Sequence, residues 1–434
     1  MSDPQSAARD IQQLTVFAEM LEDPIVGRAV HLATLLAQPT PFGDAIRLQR
    51  ELAVRLVEWV EMSPSTGTGD AWQRYLVDRI LYGDNLFGRK ASVSPLNDIG
   101  FSLREMAKAD LGILQGLYCL SSRELCGALL VAGFSSPVGW DHGSADHSPA
   151  ANGLPGEFQR SSSWESLLEQ LAAHYYREGI GNLARFHAFR WDPDGSLAGV
   201  AAPDPITLDD LVGYDYQRGL LIANTEQFIA GYPCNNILLY GARGTGKSSL
   251  VKALLNAYAV QGLRLVEVAR DDMPDFPKIV RMLRGRRQRF ILFADDLSYD
   301  DAELHYRDLK AALEGSIEGR PENVLLYATS NRRHLIKERF RDRDTADDEI
   351  HVHDTAQEKL SLSDRFGLTL SFAPPTQAEY LRMVDVIARR RGLSLDREEL
   401  YAAALRWTAL HNTPSGRTAR QFIDDLQGGM MRNV

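Results

Sequence analysis

The residues with the most chemical content stand together in Gly241-Ala242-Arg243-Gly244-Thr245-Gly246-Lys247-Ser248, followed by Ser249. The spacing G-x-x-x-x-G-K-[ST] makes a phosphate cradle. Its glycines let the backbone curl until successive N–H groups converge on anionic oxygens. The apolar strand N-I-L-L-Y leads into the loop, and a helix over Ser248–Tyr258 with Leu250, Leu254 and Leu255 leads out. The helix N-terminus adds positive potential. Lys247 is expected to reach β- and γ-phosphates, and the Ser248 hydroxyl to ligate Mg2+.

A second site must hold the metal and the attacking water. The strand Phe290-Ile-Leu-Phe-Ala ends in Asp295-Asp296. The C-terminal end of a strand in an open α/β sheet is where ligands bind. Asp295 is expected to bind Mg2+, directly or through its water. Asp296 is expected to orient or deprotonate the lytic water. The strand Val324-Leu-Leu-Tyr-Ala-Thr-Ser330 delivers Asn331, a hydrogen-bond partner for γ-phosphate or water. Arg365, just before the last strand, offers a guanidinium fork for charge on a transferring phosphoryl group. Arg417 and Arg420 open the last helix. Arg420 is preferred as the nucleotide contact because it stands directly before an apolar stripe, and Arg417 stays an alternative.

These side chains need a parallel sheet to carry them. Five short apolar runs, Ile237–Tyr240, Leu263–Ala269, Phe290–Ala294, Val324–Thr329 and Leu368–Phe372, alternate with helical segments. The expected class is α/β, with a five-stranded parallel sheet covered on both faces. Only helices follow residue 374, with stripes Tyr380, Val384, Ile387, Ala388 and Ala419, Phe422, Ile423, Leu426. They predict a C-terminal helical lid over 374–434 after an α/β core over 205–373. Residues 1–200 read as a mainly helical domain. Leu14, Phe17, Ala18, Leu21 and Leu52, Leu56, Trp59, Val60 each make one helical stripe. The Pro- and Gly-rich stretch 134–163 reads as a long loop, and Ser162 with Glu165 as a capping box before a helix carrying Trp164, Leu167, Leu168 and Leu171. The segment Trp191–Pro205 reads as the main domain boundary.

Composition sets the outer limits. The chain has 434 residues, 48 basic against 58 acidic, for a net charge of −10. Residues 1–200 hold 24 acids and 16 bases, a net of −8, and the remainder holds 34 and 32, a net of −2. That balance disfavours a general nucleic-acid coat protein. Cys119, Cys126 and Cys234 form no C-x-x-C pair, so no zinc framework or disulfide set is expected. Asp141-His142 and Asp146-His147 read as a hydrated loop rather than as metal ligands. No signal peptide is expected at M-S-D-P-Q-S-A-A-R-D. No apolar run reaches the roughly 20 residues of a bilayer span. A cytoplasmic protein is expected.

In this order the motifs resemble those of the AAA+ P-loop ATPases. Within that class the strings D-D-L-V-G-Y, N-N-I-L-L-Y-G-A-R-G-T-G-K-S-S-L, F-A-D-D-L-S-Y, Y-A-T-S-N-R-R-H-L and E-K-L-S-L-S-D-R-F-G-L resemble the bacterial domain-of-unknown-function family 815. The resemblance spans about residues 205–434. It implies ATP as ligand, a seat for the base at Val212 and Gly213, and Arg365 as an arginine finger serving a neighbouring subunit. A finger in trans implies self-association into a closed ring, a hexamer being favoured. The absence of an N-K-x-D tetrad also points to ATP over GTP.

Two elements of better-known relatives are not expected. No helix-turn-helix is expected beyond the lid, and Val268–Pro277 lacks the aromatic–apolar–Gly triplet of peptide-threading motors.

Three functions follow from these readings. The first is an ATP-hydrolysing remodeller that holds a protein partner through residues 1–200. The second is a nucleotide-gated scaffold with slow turnover, favoured by Asp296 where many relatives carry the longer Glu. The third, action on nucleic acid, rests on Arg281, Arg284, Arg286, Arg287 and Arg289, with Arg339–Arg343 and Arg389–Arg391. It is weaker than a solvated helix face.

Overall fold

The computed structural model describes residues 9–36, 43–62, 69–122, 124, 140, 153–297, 321–331, 366–393, 395–411 and 413–432. The chain divides into two compact units, Met1–Arg185 and Phe186–Val434.

The described part of the first unit is helical. Its helices are α1 (Pro24–Leu36), α2 (Gly43–Met62), α3 (Ala71–Tyr82), α4 (Leu86–Ala91), α5 (Phe101–Tyr118), α6 (Leu154–Arg160), α7 (Leu168–Glu178) and α8 (Asn182–Arg185). Asp70 starts α3 with a capping box to Gln73. That box satisfies N–H groups the helix cannot pair itself. Trp72, Phe87, Phe158, Trp164 and Tyr175 fill the core. Leu52, Leu56 and Val60 are buried on α2, as their spacing predicts.

The stripe Leu14, Phe17, Ala18, Leu21 is not one helix. Two 3-10 turns, Ile11–Gln13 and Ala18–Glu22, flank a break. The buried carboxylate of Asp110 causes it by accepting the N–H groups of Thr15, Val16 and Phe17 at 2.8 to 3.2 Å. Those donors would otherwise face their own helix. The expected loop over 134–163 also needs correction at its end, where α6 occupies Leu154–Arg160. The box between Ser162 and Glu165 does not form. The hydroxyl of Ser161 accepts the N–H of Ser163, and Gln115 Oε1 accepts that of Trp164.

Among the described residues the second unit carries one sheet of seven strands, not five. They are β1 (Ala188–Trp191), β2 (Leu197–Gly199), β3 (Ile237–Gly241), β4 (Leu263–Glu267), β5 (Arg289–Ala294), β6 (Val324–Ser330) and β7 (Leu368–Phe372), in the order β2-β1-β4-β5-β6-β3-β7. β1 and β2 are antiparallel and every other pair is parallel. The two extra strands fall where the sequence suggested a boundary. Asp192-Pro193-Asp194-Gly195-Ser196 is a hairpin turn rather than a linker, with Gly195 N–H donating to Asp192 O at 2.9 Å. β1 then adds to β4, so this stretch lies inside the second unit.

Strands β3 to β7 are mostly apolar because helices cover the sheet. These helices include α9 (Asp215–Ile229), α10 (Lys247–Tyr258) and α11 (Phe276–Leu283). After β7 come α12 (Gln377–Arg390), α13 (Arg397–His411) and α14 (Gly416–Arg432). Thr376 and Glu379 cap α12 reciprocally. Tyr380, Val384, Ala388, Ala419, Phe422 and Ile423 make a separate lid core, against which Val212 and Tyr214 pack. Among the described residues no helix is long and apolar enough to cross a membrane.

Candidate functional site

β3 ends beneath the phosphate loop. Gly241 has φ +139, and a Cβ there would stand 2.0 Å from the carbonyl oxygen of Phe372, so the strand end admits only glycine. Lys247 opens α10 and is 7% exposed. Its Nζ donates to Gly241 O at 2.9 Å, Ala242 O at 2.8 Å and Asn331 Oδ1 at 3.4 Å. Burial lowers the proton affinity of this amine, while Asp296 and Asp295 pull it back up and Arg243 and Arg417 oppose them. The Thr245 hydroxyl donates to Ala242 O at 2.9 Å and closes the loop on itself.

β5 and β6 bring the second half of the site. The Ser248 hydroxyl donates to Asp295 Oδ1 at 2.5 Å. The Thr329 hydroxyl donates to the same oxygen at 2.6 Å. Asn331 Nδ2 donates to Asp296 Oδ1 at 2.5 Å. Asp296 holds φ at 51°, an uncommon conformation for a residue with a Cβ. Lys247, Ser248, Asp295, Thr329, Asp296 and Asn331 thus form one hydrogen-bonded circuit that runs from the loop to two strand ends and back.

A cavity of about 560 Å3 opens over this circuit. Residues 243–249, Asp295, Asp296, Thr329 and Asn331 line its floor. That volume lies within the range of small-molecule sites, roughly 300–1,000 Å3. The opposite walls are the segment Leu211–Tyr214, Met383 and Ile387 of α12, and Arg417, Arg420, Gln421 and Asp424 of α14. Gly241 and Ala242, expected among the binding residues, are not on the wall. They act through carbonyls that hold Lys247. Val212 and Gly213 do line the cavity, and so do both lid arginines. Arg365 lies outside the described residues, as do Cys126, Asp141, His142, Asp146, His147 and the run Arg339–Arg343.

The segment carrying Val212 is anchored from three sides. Arg218 donates to Leu211 O and Leu208 O, both at 2.8 Å. Arg390 of α12 donates to Asp209 O. Thr207 donates its N–H and its hydroxyl to the Asp210 carboxylate, which holds that group below the usual carboxylate range, with smaller help from Arg390 and Arg420. Tyr214 adopts φ 56° and donates to Ala373 O at 2.6 Å, with its ring 5.0 Å from that of Phe372. Burial pushes its hydroxyl up to about 12.

Several lining residues escaped the sequence reading: Thr329, Met383, Arg218, Gln421 and Asp424. Thr329 in β6 stands two residues before Asn331, which directly follows that strand, a period-2 signal that would have found it. The lid residues carry no local signal, because folding alone brings them over the loop. The arginines Arg389, Arg390 and Arg391 pair with Asp385, Asp210 and Asp424.

The donor chemistry suits a magnesium–triphosphate complex. Ser248 and Asp295 supply hard oxygens in contact, whereas no group of three metal-binding side chains occurs among the described residues. Mg2+ characteristically takes one or two carboxylates and completes its shell with substrate phosphates and water. The phosphate loop after β3, the paired acids just after β5 and the polar end of β6 together give this sheet the layout of a P-loop nucleotide site.

The family model described as "Protein of unknown function (DUF815)" matches residues 184–430, and the chain belongs to that family. No curated protein matches the chain. Among solved structures, a point variant of RuvB from Thermotoga maritima is similar at 17% identity and a TM-score of 0.37, over 52% of this chain and 65% of that one. The chain therefore spans less than two thirds of that protein's length. The T. maritima RuvB Holliday junction branch migration motor is similar at 15% identity and a TM-score of 0.33, over 51% and 72%. The FIGL-1 AAA domain in complex with ADP is similar at 17% identity and a TM-score of 0.36, over 54% and 76%.

Proposed function

We propose that this chain binds ATP with Mg2+ and hydrolyses it in an oligomeric ring, and that turnover remodels or assembles a protein partner held by the N-terminal unit. The observation that carries the reading is the hydrogen-bonded circuit from Lys247 through Ser248, Asp295 and Asp296 to Asn331 on the floor of one cavity.

Backbone N–H groups of residues 243–248 and the Lys247 ammonium bind and orient the triphosphate. Ser248 and Asp295 would hold the cation. Bound there, Mg2+ supplies charge neutralisation at the phosphates. Asp296 accepts the proton of the attacking water, and Asn331 fixes where that water sits. Val212 and Gly213 seat the base beneath Met383 and Ile387. Arg420 or Arg417 reaches the nucleotide from the lid. Arg365 serves the site of a neighbouring subunit, and a ring, hexameric by preference, follows from that role.

The test combines a titration with a fluorescent adenine nucleotide and a phosphate-release assay. Lys247→Ala should weaken binding by about tenfold or more, while Asp296→Asn should bind normally and lose turnover. Unaltered affinity in Lys247→Ala would overturn the reading.

One observation favours a second reading, a nucleotide-gated assembly switch with slow turnover. The Asp296 carboxylate is already committed to the Asn331 amide at 2.5 Å.

A further inference from the structure

We propose that Thr329 is a positioning residue for hydrolysis, with one hydroxyl setting both acidic side chains of the site. The inference rests on the ATPase reading above and assigns a role to a residue to which that reading gave none.

The hydrogen-bond directions are fixed by chemistry. A hydroxyl has one proton and two lone pairs. The backbone N–H of Asp296 can only donate, so the Thr329 oxygen accepts it at 2.9 Å. The single Thr329 proton goes to Asp295 Oδ1 at 2.6 Å. The carbonyl oxygen of Thr329 accepts the N–H of Leu297 at 2.7 Å. One buried residue, 2% exposed, thus grips the 295–297 turn at three points.

Each grip has a consequence at the site. Asp296 is one of two non-glycine residues with positive φ among the described residues. That conformation is unfavourable for an L residue and persists only where its surroundings impose it. Releasing its N–H removes one of those constraints and lets the carboxylate leave Asn331. On Asp295, the hydroxyls of Ser248 and Thr329 and, at 3.2 Å, the N–H of Asp296 all point to Oδ1. Among the described residues no hydrogen bond reaches Oδ2, so the clustering on Oδ1 leaves the other oxygen open to a cation or its water.

Packing and hydrogen bonding make opposite demands here. Valine keeps the shape of threonine and loses the hydroxyl, whereas serine keeps the hydroxyl and loses the methyl. The full-length wild type, Thr329→Val and Thr329→Ser are compared in phosphate release against Mg2+ concentration and in nucleotide binding in EDTA. Thr329→Val is expected to lower kcat by about thirtyfold and raise the Mg2+ requirement several-fold, with metal-free binding unchanged within about twofold. Thr329→Ser should stay within about threefold of wild type. If Thr329→Val does not fold, Thr329→Cys takes its place, since a thiol is a weak acceptor and donor of similar size. Wild-type turnover in Thr329→Val, or an equal fall in Thr329→Ser, would overturn the proposal while the ATPase reading stands. A wild-type protein that binds no ATP would sink the ATPase reading and this inference with it.

Discussion

The backbone N–H of Arg417 donates to the carbonyl oxygen of Gly244 at 3.2 Å, so the first turn of the lid helix α14 is tied directly to the phosphate loop. Gly244 has φ +77, and a Cβ there would stand 2.8 Å from Ser415 Oγ and 3.1 Å from Ser415 Cβ. Gly244→Ala therefore carries both a backbone penalty and a collision with the lid. It should weaken ATP binding by about tenfold or more in a fluorescence titration. Gly262→Ala is the control, because Gly262 has φ +97 with open space around it. That variant bears the backbone penalty alone, about 1–2 kcal/mol. It should lower Tm by roughly 2–8 °C and leave affinity untouched.

The two lid arginines both line the cavity. Arg417 is among the charges that lower the proton affinity of Lys247. Arg420 is among those that lower the Asp210 carboxyl. We propose that Arg417, whose N–H bonds Gly244 of the phosphate loop, serves the phosphates, and that Arg420 serves the segment that leads to Val212. Arg417→Ala should cut kcat by about tenfold, whereas Arg420→Ala should raise KM by about threefold and spare kcat. Steady-state kinetics with both variants decides the assignment, and the reverse pattern would refute it.

Much of the site was legible because its chemistry is local in sequence. Gly241 to Ser248 must be contiguous for amides to converge, and Asp295 with Asp296 must end a buried strand. Five strands were legible as apolar runs. β1 was not, because Ala188-Phe-Arg-Trp191 is four residues long with a charge in it, and its neighbour β2 has three. Asp110 shows the harder case. Its carboxylate breaks a helical stripe 93 to 95 residues away, and no window around Leu14 contains it. Met383 was missed for the same reason, since its role exists only after α12 is placed against the phosphate loop.

His174 gives the first unit a pH dependence. Burial holds its pKa down to about 4, with Glu178 and a backbone hydrogen bond with Leu81 pulling the other way and Arg177 adding to the fall. Its Nε2 has no hydrogen-bond partner among the described residues. The folded pKa lies below the unfolded value of 6.5, so between them the unfolded chain binds the extra proton. The stabilisation is complete above pH 6.5 and is lost as pH falls toward 4. The expected loss is roughly 1–3 kcal/mol. Thermal melts from pH 7.5 to 4.5 should show a steeper decline for wild type than for His174→Gln. Parallel curves would mean that His174 charges in the folded state as easily as in the unfolded chain.

The Asn331 amide decides between the two functional readings. It donates to Asp296 Oδ1 at 2.5 Å while its oxygen accepts from Lys247 at 3.4 Å. If this pairing sets the carboxylate and the water for attack, its removal must slow chemistry. If it merely sequesters a base that is one methylene shorter than glutamate, its removal must free that base. The first outcome is expected, because a second grip on Asp296 from Thr329 fixes the turn independently and leaves the amide to orient the side chain. Asn331→Ala should lower kcat by about ten- to a hundredfold with ATP affinity changed less than about threefold. Single-turnover measurement separates that chemistry from product release. A faster single turnover in Asn331→Ala would identify the contact as a brake and favour the slow assembly switch.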